Sequence, residues 1–365
     1  MELISVPNAK SNACYTSIRM ISKLFLQDFR NFSKRSFEFS PNITVIVGTN
    51  ASGKTNILEA VSLLATGKSF KARVEEEMIN YKKELARVQG VLSDGTILEI
   101  VLTRGMMRLG SINERIARKR ILVNRVGKRL VDFAGRLKTV LFKPSDLDII
   151  TASPSHRRNF MDSVLSISNY EYRRCLLAYE KGLRNRNRLL LAIRDRGLSR
   201  SNLYFWDKLI IKNGNYVSKS REELIDFFNT FEGIKGHNFK IFYKKSAISE
   251  ERLLQYKDQE LAAGTTLVGP HRDDMLFKFE DVDLSRYGSR GEQRMGILWL
   301  KMAEMAYIEK NTKEKPTLLL DDIFSELDHE HRALISGLIK KQQTIITTAD
   351  EHYVVDIKNP HTIKL

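Results

Sequence analysis

"NITVIVGTNASGKTNILEAVSLLATG" runs from Asn42 to Gly67, and its reading decides the fold. It begins as a short β-branched apolar run, as a buried strand does, and ends with apolar residues at helical spacing. Between the two, Gly48-Thr49-Asn50-Ala51-Ser52-Gly53-Lys54-Thr55 matches G-x-x-x-x-G-K-[ST] in full. Strand before and helix after is the context that this motif requires. Gly48 and Gly53 permit a backbone approach that a Cβ would block. The loop amides and the positive end of the helix then suit phosphate groups. The expected ligands are ATP and Mg²⁺, with Lys54 on the β- and γ-phosphates and the Thr55 hydroxyl on the metal.

A phosphate loop of this kind needs a carboxylate on a neighbouring strand end. "KPTLLLDDIFSELD" (315–328) supplies an apolar strand that runs into two acids. Asp321 is placed to hold Mg²⁺, and Asp322 to orient the attacking water or accept its proton. Asp is one methylene shorter than Glu, so slow hydrolysis is expected.

A second helix start stands just upstream, in "YGSRGEQRMGILWLKMAE" (287–304). Ser289-Arg290-Gly291-Glu292-Gln293 precede an apolar helical pattern, and small residues there leave the first N–H groups open to an anion. An ordinary N-cap at Ser289 is the alternative reading. Its place shortly before the acidic strand end favours the cradle. One sheet does not easily bring two cradles to one phosphate, so the expectation is a head-to-tail homodimer formed on ATP binding.

Around these motifs lie edge-strand patterns at 20–40, a hairpin at 86–105 about Asp94-Gly95, and a second hairpin at 120–130. From Pro144 to Ala263 the pattern is mostly helical, and strands return at 265–280 and 342–350. The expected fold is α/β: an ABC-type P-loop ATPase head, a mixed sheet with flanking helices and β-hairpins, interrupted by a helical arm domain. The head would comprise 20–145 and 264–365 and the arm 146–263. Residues 1–19 are expected to be a disordered N-terminal extension.

The formal net charge is +16, which favours a polyanionic partner. Twelve basic residues face two acidic ones from Arg104 to Lys143, and seven face one from Lys181 to Arg200. Arg115, Arg118, Lys119, Arg120, Arg125, Lys128, Arg129, Arg184, Arg186 and Arg188 are the candidates for DNA phosphate contacts. No base-reading element is apparent, so duplex or gapped DNA would be gripped by charge and shape. The two cysteines, Cys14 and Cys175, stand far apart, which excludes a disulfide framework. With no apolar run of membrane-spanning length and no signal pattern, a cytoplasmic setting and no membrane partner are expected.

In order, "GTNASGKT", "SRGEQ", "LLLDD" and "SELD" resemble the ABC-type ATPase heads of the SMC and Rad50 group. With "LFLQDFRNF", "GKSFKARVEEEMI", "VLFKPSDLDIITASPSHRRNFMD", "VGPHRDD" and "YGSRGEQR", the chain is more similar still to the bacterial RecF family of recombinational repair. That resemblance implies Arg30 and Asn31 near the nucleotide, Ser289 to Gln293 as a signature motif acting in trans, and Asp328 in the loop that meets the partner's ATP. It makes "FKPSDLD" the coupling loop. It also implies a weak, DNA-stimulated ATPase that clamps duplex DNA near gaps and assists RecA loading with RecR and RecO. Glu292 stands where Gln is usual, and Ala349 where many ABC ATPases have a switch His, which bears on hydrolysis more than on binding. The contrasting readings are a transporter ATPase subunit and a regulatory P-loop ATPase that does not act on DNA.

Overall fold

Four short buried stretches and one exposed edge strand form the central sheet of the molecule. Strands Thr139–Phe142, Thr317–Asp321, Thr344–Thr348, Ile43–Val47 and His361–Lys364 lie side by side in that order, all parallel. Side chains alternate between two cores: Val45, Val140, Phe142, Leu318, Leu320 and Ile346 face one, and Ile46, Leu319 and Ile345 the other. Burial on both faces is what lets a parallel sheet read as continuous apolar runs. The computed structural model describes residues 19–109, 112–234, 236–325, 332, 335, 337–350, 352, 357 and 359–365. The expected extension 1–19 lies outside these residues except for Arg19, which pairs with Asp94.

Helix Lys54–Thr66 packs on one face of this sheet, with Ile57, Leu58, Val61 and Leu64 fully buried. Its other side meets a second, antiparallel sheet in the order Phe32–Glu38, Ile21–Phe29, Leu85–Leu92, Ile97–Thr103, Lys119–Val123, Val126–Gly127. The Asp94-Gly95 hairpin forms as expected, with Gly95 at φ 81°. The second hairpin is tighter than expected. Asn124 and Arg125 both take positive φ in a two-residue turn, and pairing ends at Gly127 rather than Leu130. A separate ribbon, Met106–Leu109 with Ile112–Arg115, was not marked by the sequence pattern.

The opposite face of the parallel sheet carries helix Arg290–Thr312 and the arm helices Pro154–Ser168, Tyr170–Arg196 and Tyr204–Asn229. The two long arm helices pack closely: a Cβ on Gly182 would come within 2.5 Å of Leu209. Within the segment read as helical lies a strand, Phe239–Lys244, paired antiparallel with Asp274–Phe279. Phe239 and Ile241 are buried while Lys240 and Phe242 are exposed, the period of two that marks a strand. One apolar core runs from Phe160 and Phe228 of the arm through Trp299 to Leu318 and Leu320 of the sheet.

Candidate nucleotide-binding site

All five parallel strands end on one edge, and the loop Gly48–Gly53 leaves that edge after Val47. Ligands of open parallel sheets bind outside the carboxyl ends of the strands. Gly53 takes φ 109°, and a Cβ there would meet the Asn31 side chain and Phe32 within 2.8 Å. Lys54 is buried, and its Nζ donates to the carbonyls of Gly48 at 2.6 Å and Thr49 at 2.9 Å. Among the described residues the buried Ser52 hydroxyl has no hydrogen-bond partner. A buried orphan hydroxyl inside a loop of open amides fits a ligand rich in acceptor oxygens.

The acids meet the loop as the motif requires. Thr55 Oγ1 donates to Asp321 Oδ1 at 2.9 Å, which joins the helix start to the end of the neighbouring strand. Thr347 Oγ1 donates to the same oxygen at 2.8 Å. Burial pushes the Asp321 carboxyl above its ordinary range and the charge of Asp322 adds to the rise, while the two hydroxyls oppose it. Asp322 sits at φ 50°, with its amide on the carbonyl of Thr347 at 3.1 Å. Among the described residues no cluster of three His, Cys, Asp or Glu side chains could hold a metal unaided. One hydroxyl and one carboxylate suit Mg²⁺, which takes its remaining ligands from phosphate and water. Thr347 escaped the sequence reading. Its signal was a polar residue inside the buried run "TIITT".

Asn31 lies against the loop: its Nδ2 donates to the Ser52 carbonyl at 3.0 Å, and its Oδ1 accepts from Asn56 at 2.9 Å. The Arg30 guanidinium is held by fully buried Glu59 at 2.7 and 2.8 Å. Lys71, which the sequence did not single out, donates to Asn56 Oδ1 at 3.2 Å. Ala51 takes φ 67°, a left-handed conformation for a residue with a Cβ. Asp328 lies outside the described residues.

The start of helix Arg290–Thr312 is less bare than its sequence suggests. Ser289 Oγ accepts from the Glu292 amide at 3.3 Å, and the Glu292 carboxylate accepts from the Ser289 amide at 2.7 Å. This reciprocal capping box engages two of the donors expected to be open. Gln293 ties the turn down through the carbonyls of Leu284 and Gly288. Ser289, Arg290 and Gly291 remain exposed. The helix leads back into Thr317–Asp321, so its first residues lie towards the same edge as the phosphate loop. At about 1.5 Å per residue its 23 residues far outreach that five-residue strand. It packs against strand Thr139–Phe142 and the turn after it, three strand spacings from Ile43–Val47, or about 14 Å.

Two proposed DNA contacts are corrected. Arg186 is 3% exposed, with its guanidinium on Asp207 at 2.6 Å, Glu260 at 2.7 Å and Thr266 at 2.8 Å. Lys119 Nζ is held by Glu75 at 2.5 Å and the Gly67 carbonyl at 2.6 Å, leaving little for a phosphate. Both lie in sequence among exposed cations, and only the fold separates them. Arg115, Arg118, Arg120, Arg125, Lys128 and Arg129 are exposed on and beside the edge hairpin, and Arg184 and Arg188 on the first long arm helix. Arg118 pairs with Glu76 and Arg129 with Asp132, exposed contacts that a phosphate can displace at little cost.

Residues 20–364 match the RecF/RecN/SMC N terminal domain. The DNA replication and repair protein RecF of Herpetosiphon aurantiacus is 34% identical, covering 90% of this chain and 93% of that protein. RecF of Agathobacter rectalis is also 34% identical, covering 90% and 91%. Among solved structures, the recombination mediator protein RecF with ATPrS in the RecFOR pathway superposes with TM-score 0.84 at 30% identity, covering 95% and 96%. The Smc head with coiled coil and joint from Pyrococcus yayanosii reaches 0.54 at 13% identity, covering 95% of each chain, a likeness of fold alone. No helix among the described residues is long and apolar enough to cross a membrane.

Proposed function

Because this chain belongs to the RecF family of DNA replication and repair proteins, we propose that it binds ATP and works as an ATP-switched DNA clamp. Lys54 and the loop amides hold the β- and γ-phosphates, and Asn31 braces the loop from behind through the Ser52 carbonyl. Mg²⁺, held by Thr55 and Asp321, would neutralise charge developing on the phosphates. Asp322 orients the attacking water. Ser289 to Gln293 of a second copy close over the γ-phosphate, so that two molecules share two nucleotides. Asp328 belongs to that contact.

One observation supports this reading: the phosphate loop follows strand Ile43–Val47, while the helix that begins after Ser289 packs against strand Thr139–Phe142, three strand spacings or about 14 Å away in the same sheet. A separation of that size keeps Ser289 off its own nucleotide, and head-to-tail pairing brings each turn to the partner's loop. Once paired, the exposed cations of the edge hairpin and arm line a grip on duplex DNA near a gap. Hydrolysis, slow with Asp322 and without a switch His, then releases it. Work with RecR and RecO in loading RecA is the corresponding cellular role.

Sedimentation of the purified protein with and without ATP, at two salt concentrations and with gapped DNA, tests the scheme. The parent chain should dimerise with ATP and lose DNA affinity steeply with salt. Ser289→Arg should bind ATP as a monomer and fail to dimerise. A chain that stays monomeric with ATP and DNA at every concentration, or a Ser289→Arg chain that dimerises like the parent, defeats the clamp.

A further inference from the structure

Thr347 and Thr348 stand side by side at the end of strand Thr344–Thr348, and both are fully buried. A buried hydroxyl requires a partner. Alternation along the strand sends the two in opposite directions. Thr348 Oγ1 donates to the Asp350 carbonyl at 2.9 Å, which closes a local turn. Thr347 Oγ1 instead donates across to the neighbouring strand, to Asp321 Oδ1 at 2.8 Å.

We propose that Thr347 is a positioning residue for the metal-side acids, fixing which oxygen of Asp321 faces the metal and the backbone on which Asp322 is carried. The inference rests on the reading of Thr55 and Asp321 as the Mg²⁺ site. Two hydroxyls, from Thr55 and Thr347, converge on Oδ1, and among the described residues no protein donor engages Oδ2. The carboxylate is thus pinned from both sides through one oxygen, and the other is left to an outside ligand. The same threonine reaches the next residue. The Asp322 amide lies 3.1 Å from the carbonyl of Thr347 and 3.1 Å from its Oγ1. Asp322 takes φ 50°, a left-handed conformation that Asp adopts more readily than most residues with a Cβ, and these two contacts hold it there. Valine has nearly the same shape and can replace neither side-chain contact. Serine can replace both.

Calorimetric titration of ATP with and without Mg²⁺ separates this role from a structural one. For Thr347→Val, affinity for metal-free ATP should stay within about twofold of the parent and affinity for Mg²⁺-ATP should fall about tenfold, as expected when one hydrogen bond to a charged group is lost. Thr347→Ser should restore the parent value. If the valine chain does not fold, Thr347→Cys, which lacks the methyl group and keeps only a weak donor, reads the same difference. A valine or cysteine variant with parental Mg²⁺-ATP affinity overturns the inference. So does an equal loss with and without the metal, or a serine variant that fails to recover. A parent chain whose ATP affinity ignores Mg²⁺ would instead overturn the metal site itself.

Discussion

At the carboxyl edge of the parallel sheet, charged groups are held by neutral ones. Asp321 accepts from two hydroxyls, Lys54 donates to two carbonyls, and the Ser52 hydroxyl has no partner among the described residues. Where the returning chain meets the arm helices, charge meets charge. Arg221 is 2% exposed and donates to Asp162 at 2.7 Å and Asp273 at 2.9 Å, with a further bond to the Pro270 carbonyl. Asp273, fully buried, also accepts from the Tyr243 hydroxyl and the Ser246 amide. Arg157 holds Asp274 in a two-point contact beside them. The first region has donors and acceptors left over for a ligand. The second is closed, so its charges serve architecture.

Removing the cation at the centre of the closed region should give the largest effect. Arg221→Met leaves Asp162 and Asp273 without their shared partner, and breaking a buried pair in this way costs about 3–5 kcal/mol. Urea unfolding of the variant should show a loss of that size. A loss below about 1 kcal/mol would mean that these charges are as weakly coupled as surface ones, and the contrast with the nucleotide edge would fail.

The same contrast explains what could be read from the sequence. The phosphate loop and its strand and helix were legible because each depends on near neighbours: glycines where a Cβ clashes, an apolar strand, and helical spacing after Lys54. The Asp94-Gly95 turn was legible for the same reason. Tertiary partners are invisible in a linear pattern. Arg186 looked like Arg184 and Arg188 until the fold placed Glu260 and Asp207 against it. Nothing in the linear pattern showed that Glu59 would hold the Arg30 guanidinium. The strand Phe239–Lys244 carried its alternation openly, but the long helical patterns on its amino-terminal side outweighed six residues. At Ser289 the sequence marked the start of a helix and missed its state, because the Glu292 side chain closes the cap.

His271 gives a gentler probe of the closed region. Its Nδ1 accepts from the Tyr179 hydroxyl at 2.7 Å and its Nε2 donates to the Thr266 carbonyl at 2.9 Å, an arrangement made for the neutral ring. Burial, with Arg272, Arg158 and Arg186 nearby, lowers its pKa from 6.5 to about 4. Between these values the unfolded chain binds the proton and the folded chain does not. The stabilisation is therefore complete above pH 6.5 and fades as pH falls towards 4, by roughly 3 kcal/mol in all. His271→Gln should flatten that limb of a stability–pH curve. An acid limb of unchanged steepness would assign the loss to other groups.

The smallest effect tests the open region. The Ser52 amide bonds to the Thr49 carbonyl at 3.2 Å, which makes Thr49–Ser52 a turn with Ala51 third and at φ 67°. That position favours Gly or Asn, because a Cβ in the left-handed region costs about 1 kcal/mol or more. Glycine would relieve the cost and also loosen the unfolded chain, by about 0.4–1 kcal/mol. Ala51→Gly should therefore raise stability by only about half a kcal/mol, the difference between the two terms. ATP affinity should hold within about twofold, since the backbone shape that faces the phosphates does not change. A marked loss of affinity without loss of stability would show instead that the Ala51 methyl holds the loop ready for its ligand. In that case the open region is rigid at a residue that the G-x-x-x-x-G-K-[ST] pattern leaves unspecified.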